Sequence, residues 1–230
     1  MTSDNVERWR PLVRNELDRQ SNPLPEDLIL ALIWTESRGK PGTVNPQSGA
    51  SGLTQVMPKT LEWYNKQTGD SVSLDALRSK SMPLEQIRVG IWVLSQFWKS
   101  AYRYLKQRLT DIPVDELGRI ADLFYVAGPG ATQRRLDKLV VPFYDYVKSR
   151  WPTWNALPHV QNVWSQLPVD MPWNESSISK WLSSSDIISH KTRQGAIVMM
   201  VALIAGYWLF FRKKPPNIQS EKPMSLFRLK

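Results

Sequence analysis

The sequence predicts a mainly α-helical protein with one globular domain, followed by a linker and a single membrane-spanning helix. Apolar residues recur three and four positions apart over several long stretches, and little alternating pattern of period two is present. The 230 residues are 42% hydrophobic, which is enough for one buried core. A long run without charges lies near the C-terminus. Because the chain has no cysteine, disulfides, thiol catalysis and cysteine-containing zinc sites are excluded.

The first element predicted is an amphipathic helix over residues 1–22. Val6, Trp9, Val13 and Leu17 recur at helical spacing and would form its apolar face. A segment rich in proline follows and ends this helix.

The globular domain is predicted over residues 23–150. Its first helix is apolar on most faces and ends before Gly39. Further helical patterns occur at about 83–108, 114–127 and 131–150.

Glu36 is the candidate catalytic acid. It is the only acidic residue between Asp27 and Glu62, and Leu32 and Ile33 precede it by one helical turn. A carboxyl group on an apolar face loses solvation, which raises its pKa and keeps it protonated. A protonated carboxylic acid is what the cleavage of a glycosidic bond requires of a general acid. The alternative, which composition alone favours, is a solvated glutamate paired with a neighbouring basic residue.

The segment that follows Glu36 has the composition of a groove wall. Residues 45–52 are turn formers, and their two glycines let the backbone approach a ligand closely. Residues 53–58 then return to a partly apolar run that carries one amide side chain, Gln55.

Several motifs in this order resemble the soluble lytic transglycosylase (SLT) family over roughly residues 20–150. They are Glu36-Ser37, the segment NPQSGASGLTQVMP, a central helix IRVGIWVL, the stretch FYVAGPG and the closing segment PFYDYVKSR. The resemblance implies a lysozyme-like, mostly helical fold with a cleft for a glycan strand. It also implies cleavage of the β-1,4 bond between N-acetylmuramic acid and N-acetylglucosamine.

The same resemblance implies the role of Glu36. It would protonate the leaving oxygen and then take the proton of the muramyl 6-hydroxyl, which closes a 1,6-anhydro ring without water. One carboxylate can then suffice where common glycosidases use a pair.

The resemblance also implies the residues that bind substrate, which are Ser37, Asn45, Gln55, Tyr125 and Tyr146. Ser37 follows the acid, Asn45 stands where many members have serine, and Gln55 and Tyr125 match positions that line the cleft. Tyr146 is the tyrosine of the closing segment. Packing is the alternative role for the two tyrosines, and capping of nearby backbone is the alternative for Gln55.

Two positions depart from the family pattern. Thr54 replaces the usual methionine, and Val126 replaces the usual asparagine of the AYNAG stretch. Loss of that amide leaves two alternatives open: a muramidase that admits water, as in goose-type lysozymes, or a non-catalytic peptidoglycan-binding assembly protein. The presence of Glu36 argues against the second.

Residues 151–194 are rich in tryptophan, proline and serine and are predicted to form an irregular linker that packs its tryptophans on the domain. A surface for sugar stacking or for the membrane interface is the alternative. His159 and His190 lack a ligand-like spacing, so no metal site and no cofactor are expected.

Residues 195–211 are predicted to form the transmembrane helix. This run of 17 residues has no charge and would span about 26 Å, slightly less than a hydrocarbon core of ~30 Å. The basic tail at 212–230 begins directly after it, and more than half of the net charge of +9 lies in 195–230. This placement favours anionic lipid over nucleic acid as the partner. A buried core helix is the alternative.

The first 25 residues lack the apolar region of a signal peptide, so export of the preceding domain by the ordinary route is difficult. We therefore expect a phage virion protein, anchored in a viral membrane, that opens peptidoglycan during genome delivery. The alternative is a bacterial envelope enzyme in the inner membrane. The expected partners are glycan strands, lipid and other virion or envelope proteins, with no nucleic acid.

Overall fold

Helices account for nearly all regular structure in the computed structural model, which describes residues 4–139, 142–168, 171 and 173–184. Within these residues, β-structure is limited to two isolated bridges, Val44–Ser51 and Ser51–Val56. The prediction of a mainly α-helical protein is therefore confirmed. The helices are α1 (Asp4–Glu7), α2 (Arg10–Arg19), α3 (Glu26–Ser37), α4 (Pro58–Thr68), α5 (Leu74–Arg78), α6 (Pro83–Lys106), α7 (Val114–Ala127), α8 (Pro129–Leu136), α9 (Tyr144–Arg150), α10 (Leu157–Trp164) and α11 (Glu175–Ser184).

The N-terminal region forms two helices where the sequence predicts one. Pro11 lies in the first turn of α2, where its missing N–H group costs nothing, and a turn separates α1 from α2. Val6, Val13 and Leu17 are nevertheless buried in one core, so the predicted apolar face is the one that packs.

Helix α3 is the buried centre of the domain. Six consecutive residues, 28–33, are buried, and α1, α2 and α10 all pack against it. The helix ends at Arg38, which adopts a left-handed φ of 55°, followed by Gly39 at 74°. A Cβ atom at Gly39 would lie 2.4 Å from the carbonyl oxygen of Asn5, so this turn requires glycine. The stop places Glu36 in the last turn of α3.

The loop after α3 is held on α6 by one buried amide. The Gln86 side chain accepts hydrogen bonds from the backbone N–H groups of Leu53, at 2.9 Å, and Gly42, at 3.3 Å. Its amide nitrogen donates to the carbonyl of Ser79 at 2.6 Å. Gln86 is fully buried, and three bonds satisfy its polar atoms there.

The long helices follow the sequence pattern closely. Helix α6 begins at the predicted residue and ends two residues early, and α7 has the predicted bounds. The pattern at 131–150 instead divides into α8 and α9, with Pro142 between them. Proline lacks the N–H group that a continuous helix would need at this point.

The segment predicted as an irregular linker contributes two helices to the domain. Val160 and Val163 of α10 and Ile178 and Leu182 of α11 are buried in the same core as α3. Trp154 is buried, and the other tryptophans between 151 and 181 pack partly buried against this core. The structure thus differs from the predicted irregular backbone, while the packing of the tryptophans is as expected.

The predicted transmembrane helix, 195–211, and the basic tail lie outside the described residues. Among the described residues, no helix has both the length and the apolar character that crossing a membrane requires.

Candidate active site

The side chain of Glu36 lies between the protein interior and the surface, with 18% of it exposed. Its Oε1 atom is 3.0 Å from Nε2 of His159 on α10, within hydrogen-bond distance. Burial has the largest effect on the pKa of Glu36 and raises it. The hydrogen bond and the charge of His159 lower this pKa, and the charge of Asp122 raises it, so the pKa lies above its ordinary value. The carboxyl group can therefore keep its proton at a higher pH than an exposed glutamate.

His159 lies between two carboxyl groups from different helices. Its Nδ1 atom is 3.4 Å from Oδ1 of Asp122 on α7, on the opposite side of the ring from Glu36. Only 16% of the His159 side chain and 5% of the Asp122 side chain are exposed. Burial alone would lower the pKa of His159, but Asp122 and Glu36 together raise it to about 10. The imidazole is therefore charged at neutral pH.

Tyr125 connects this group to the loop after α3. Its hydroxyl donates a hydrogen bond to the backbone carbonyl of Thr54, and its ring stacks on the ring of His159 with a centroid distance of 6.4 Å. Burial raises the pKa of Tyr125 well above its ordinary value, and the charges of Glu36 and Asp122 add to this. Tyr125 therefore lies beside the acid as a neutral phenol.

Three of the predicted binding residues form hydrogen bonds within their own segments. Ser37 is buried and donates to the carbonyl of Ile33, one turn back in α3. The side-chain oxygen of Asn45 accepts from two backbone N–H groups of its own loop. Gln55 has a positive φ of 48° and donates from Nε2 to the carbonyls of Thr43 and Gly52. The side chains of Asn45 and Gln55 thus support the loop, and the role of all three residues in substrate binding stays a prediction.

The closing segment places a different tyrosine inside from the one that the sequence suggests. Tyr146 is 55% exposed, whereas Tyr144 is buried in the core cluster. Burial raises the pKa of Tyr144 to about 12, and Asp122 is among the charges that act on it. The role of the exposed Tyr146 in substrate binding stays a prediction.

The structure explains how Thr54 is accommodated. Its side chain is fully buried against α6, where Oγ1 donates to the carbonyl of Gln86 at 3.3 Å. A Cβ atom at Gly90 would lie 2.3 Å from that Oγ1, so the loop approaches α6 where the helix has no side chain. Thr54 therefore reaches the site only through its backbone carbonyl.

Sequence reasoning missed Asp122 and His159. Asp122 lies in an apolar stretch of α7, but Gly118 and Arg119 precede it by one helical turn, so it lacks the apolar face that distinguishes Glu36. His159 lies in the segment predicted as linker, and no local pattern in the sequence relates it to Glu36. Within the described residues, no group of three or more His, Asp or Glu side chains has the arrangement of a metal site.

A mainly helical domain with a largely buried acid at a helix end, beside a loop that contains glycine, is typical of lysozyme-like enzymes. The transglycosylase SLT domain family matches residues 16–137, which is more than half of the chain, and the chain belongs to this family. The family is that of lytic transglycosylases, which act on peptidoglycan. Glu36 and Asp122 lie within the matched residues, and His159 lies beyond them.

The chain is also similar to the pneumococcal vaccine antigen A of Streptococcus pneumoniae serotype 4. The two are 43% identical over 53 residues, which is 23% of this chain and 26% of that protein. The match thus covers about a quarter of either chain.

Proposed function

We propose that this protein is a peptidoglycan lytic transglycosylase that cleaves the β-1,4 bond between N-acetylmuramic acid and N-acetylglucosamine and forms 1,6-anhydro-N-acetylmuramic acid. The observation that carries the proposal is Glu36, a largely buried carboxyl group with a raised pKa that lies within the residues matched by the family. In this proposal Glu36 acts first as the acid and then as the base.

The proposed reaction needs no second carboxylate. The proton of Glu36 passes to the bridging oxygen as the bond from that oxygen to C1 of the muramyl residue breaks. The 6-hydroxyl oxygen of the same residue then attacks C1, and its proton returns to Glu36. The proton count is balanced, and the carboxyl group ends as it began. Burial supports both steps, since it holds the pKa of the acid nearer to the working pH.

The products of peptidoglycan digestion test this proposal. Full-length protein in a mild detergent, incubated with purified sacculi, is expected to release muropeptides that end in 1,6-anhydro-muramyl residues, since no water takes part in the proposed step. Mass spectrometry distinguishes these ends from reducing ends, which are heavier by one water.

Each other outcome identifies one of the alternatives. Reducing ends would show a muramidase that admits water. Sedimentation of the protein with sacculi but without released products would show a peptidoglycan-binding protein without turnover.

We also propose that residues 195–211 anchor the protein in a virion membrane from which the enzyme opens the cell wall locally. The charge-free run and the basic residues directly after it support an anchor. Immunodetection is expected to find the chain in purified virions, in the detergent-soluble fraction. Detection in membranes of uninfected cells would instead favour the bacterial envelope enzyme.

A further inference from the structure

We propose that His159 is the positioning residue of Glu36: held by Asp122, it donates a hydrogen bond to Oε1 and so directs the acid's proton to Oε2. This inference rests on the proposed function, in which Glu36 is the acid. It concerns a residue beyond the part of the chain that the SLT family matches.

The geometry is a chain of three groups from three helices. Oε1 of Glu36 on α3 is 3.0 Å from Nε2 of His159 on α10, and Nδ1 of the same ring is 3.4 Å from Oδ1 of Asp122 on α7. Within the described residues, neither Asp122 oxygen nor Nδ1 of His159 has a hydrogen-bond partner, so the two groups face each other as a buried ion pair at 3.4 Å. Since two carboxyl groups face the two nitrogens of one ring, a doubly protonated imidazole can donate to both.

The other polar groups around the His159 ring do not accept hydrogen bonds from its two nitrogens. Tyr125 of α7 presents a stacked ring to His159, and its hydroxyl donates to the carbonyl of Thr54 instead. Tyr144 of α9 stays neutral, because burial raises its pKa to about 12. Among the groups that raise the pKa of His159, Asp122 contributes most, and its charge acts on the ring while Glu36 is the neutral acid.

This arrangement separates the two oxygens of Glu36 by function. Oε1 accepts the hydrogen bond of the imidazolium, so the proton of the neutral carboxyl group resides on Oε2. When Oε2 gives its proton to the bridging oxygen, the carboxylate that forms is already hydrogen-bonded to a cation. When the 6-hydroxyl proton returns, it returns to Oε2. His159 keeps its own protons throughout and does not touch the sugar.

Tight packing keeps α10, and with it the ring, in place. Trp164 of α10 lies directly over Gly118 of α7, where a Cβ atom would be only 2.7 Å from the indole. Arg119 stacks over the same indole at 4.6 Å. The position of His159 is therefore set by helix packing rather than by a loop.

The test compares pH–rate profiles of the full-length wild type, His159→Gln and Asp122→Asn on the same sacculi. Glutamine keeps a donor near Oε1 but removes the charge, so we expect kcat to fall about tenfold to hundredfold with KM unchanged. The cation of His159 lowers the pKa of Glu36, so its removal raises that pKa. The alkaline limb of the profile is then expected to move to higher pH in His159→Gln. Asp122→Asn is instead expected to lower the pKa of His159, because the imidazole loses the carboxylate beside Nδ1, and a nitrogen-15 NMR titration of His159 measures this.

Gln161→Ala, on the exposed side of α10, is the matched control and should leave the profile unchanged. If a folded His159→Gln variant has the wild-type profile, or an alkaline limb at lower pH, the inference is wrong. Loss of products in the wild type would contradict the proposed function instead.

A measurement on the wild type keeps the inference testable even if the variants do not fold. In nitrogen-15 NMR of labelled histidine, His159 is expected to carry protons on both ring nitrogens at neutral pH. A neutral tautomer there would overturn the inference, whether or not the protein turns over glycan.

Discussion

The Glu36→Gln variant is expected to lose turnover on sacculi by a factor of about a thousand or more while its fold is kept. The amide has the size of the carboxyl group and can still accept the hydrogen bond of His159 at the position of Oε1. It cannot give a proton to a glycosidic oxygen, and acid–base groups contribute about 10² to 10⁴ in rate. Release of anhydro-muropeptides measures the effect, with Glu62→Gln on the exposed side of α4 as the matched control.

The stability of the same variant checks the cause of the raised pKa. Because burial favours the neutral form of Glu36 in the folded state, the wild type loses stability as pH rises from the unfolded value of about 4.3 to the raised folded value. The amide cannot ionise, so Glu36→Gln should lack this loss, which thermal melting at several pH values measures. Retained activity, or an identical pH dependence of melting, would contradict the assigned role.

Truncation after residue 150 is expected to prevent cooperative folding, although the predicted domain ends there. The cut removes six large apolar side chains buried in the core, and it also removes His159. At about 1.5–3 kcal/mol for each buried side chain, their burial contributes of the order of 10 kcal/mol as an upper estimate. This is comparable with the whole stability of a typical domain, about 5–15 kcal/mol.

Truncation after residue 184 is the matched control, because it keeps every described contact of α10 and α11. Circular dichroism melting should show a cooperative transition for residues 1–184 and none for residues 1–150. If residues 1–150 melt cooperatively and release muropeptides, α10 and α11 are dispensable, and the site does not need His159.

The helices that the sequence predicts best are those whose apolar pattern is long and uninterrupted. Helices α6 and α7 lie where the pattern places them, since each buries one face over many turns. The two patterns that failed as single helices, at 1–22 and at 131–150, each contain an internal proline. In both regions the apolar residues still face the core, so the pattern identified the buried face but not the breaks.

The candidate site shows the same division between local and distant information. Glu36 could be found because an isolated acid among apolar neighbours is a local signal, and the surrounding motifs resemble a family that the comparison confirms. The choice between Tyr144 and Tyr146 depended on the rotation of α9 against the core, which a helix of seven residues does not reveal in its sequence.

By itself, the sequence predicted the helical class and the family and indicated Glu36 as the candidate acid, because apolar periodicity and short motifs are local properties of the chain. Only the tertiary structure decided that His159 is the partner of Glu36, 123 positions away, and that residues 151–184 belong to the domain. The physical reason is that the polar partner of a buried group is set by which helix faces meet. Apolar periodicity shows that one face of α10 must be buried. It does not show that this face packs on α3 and α7, which only the structure reveals.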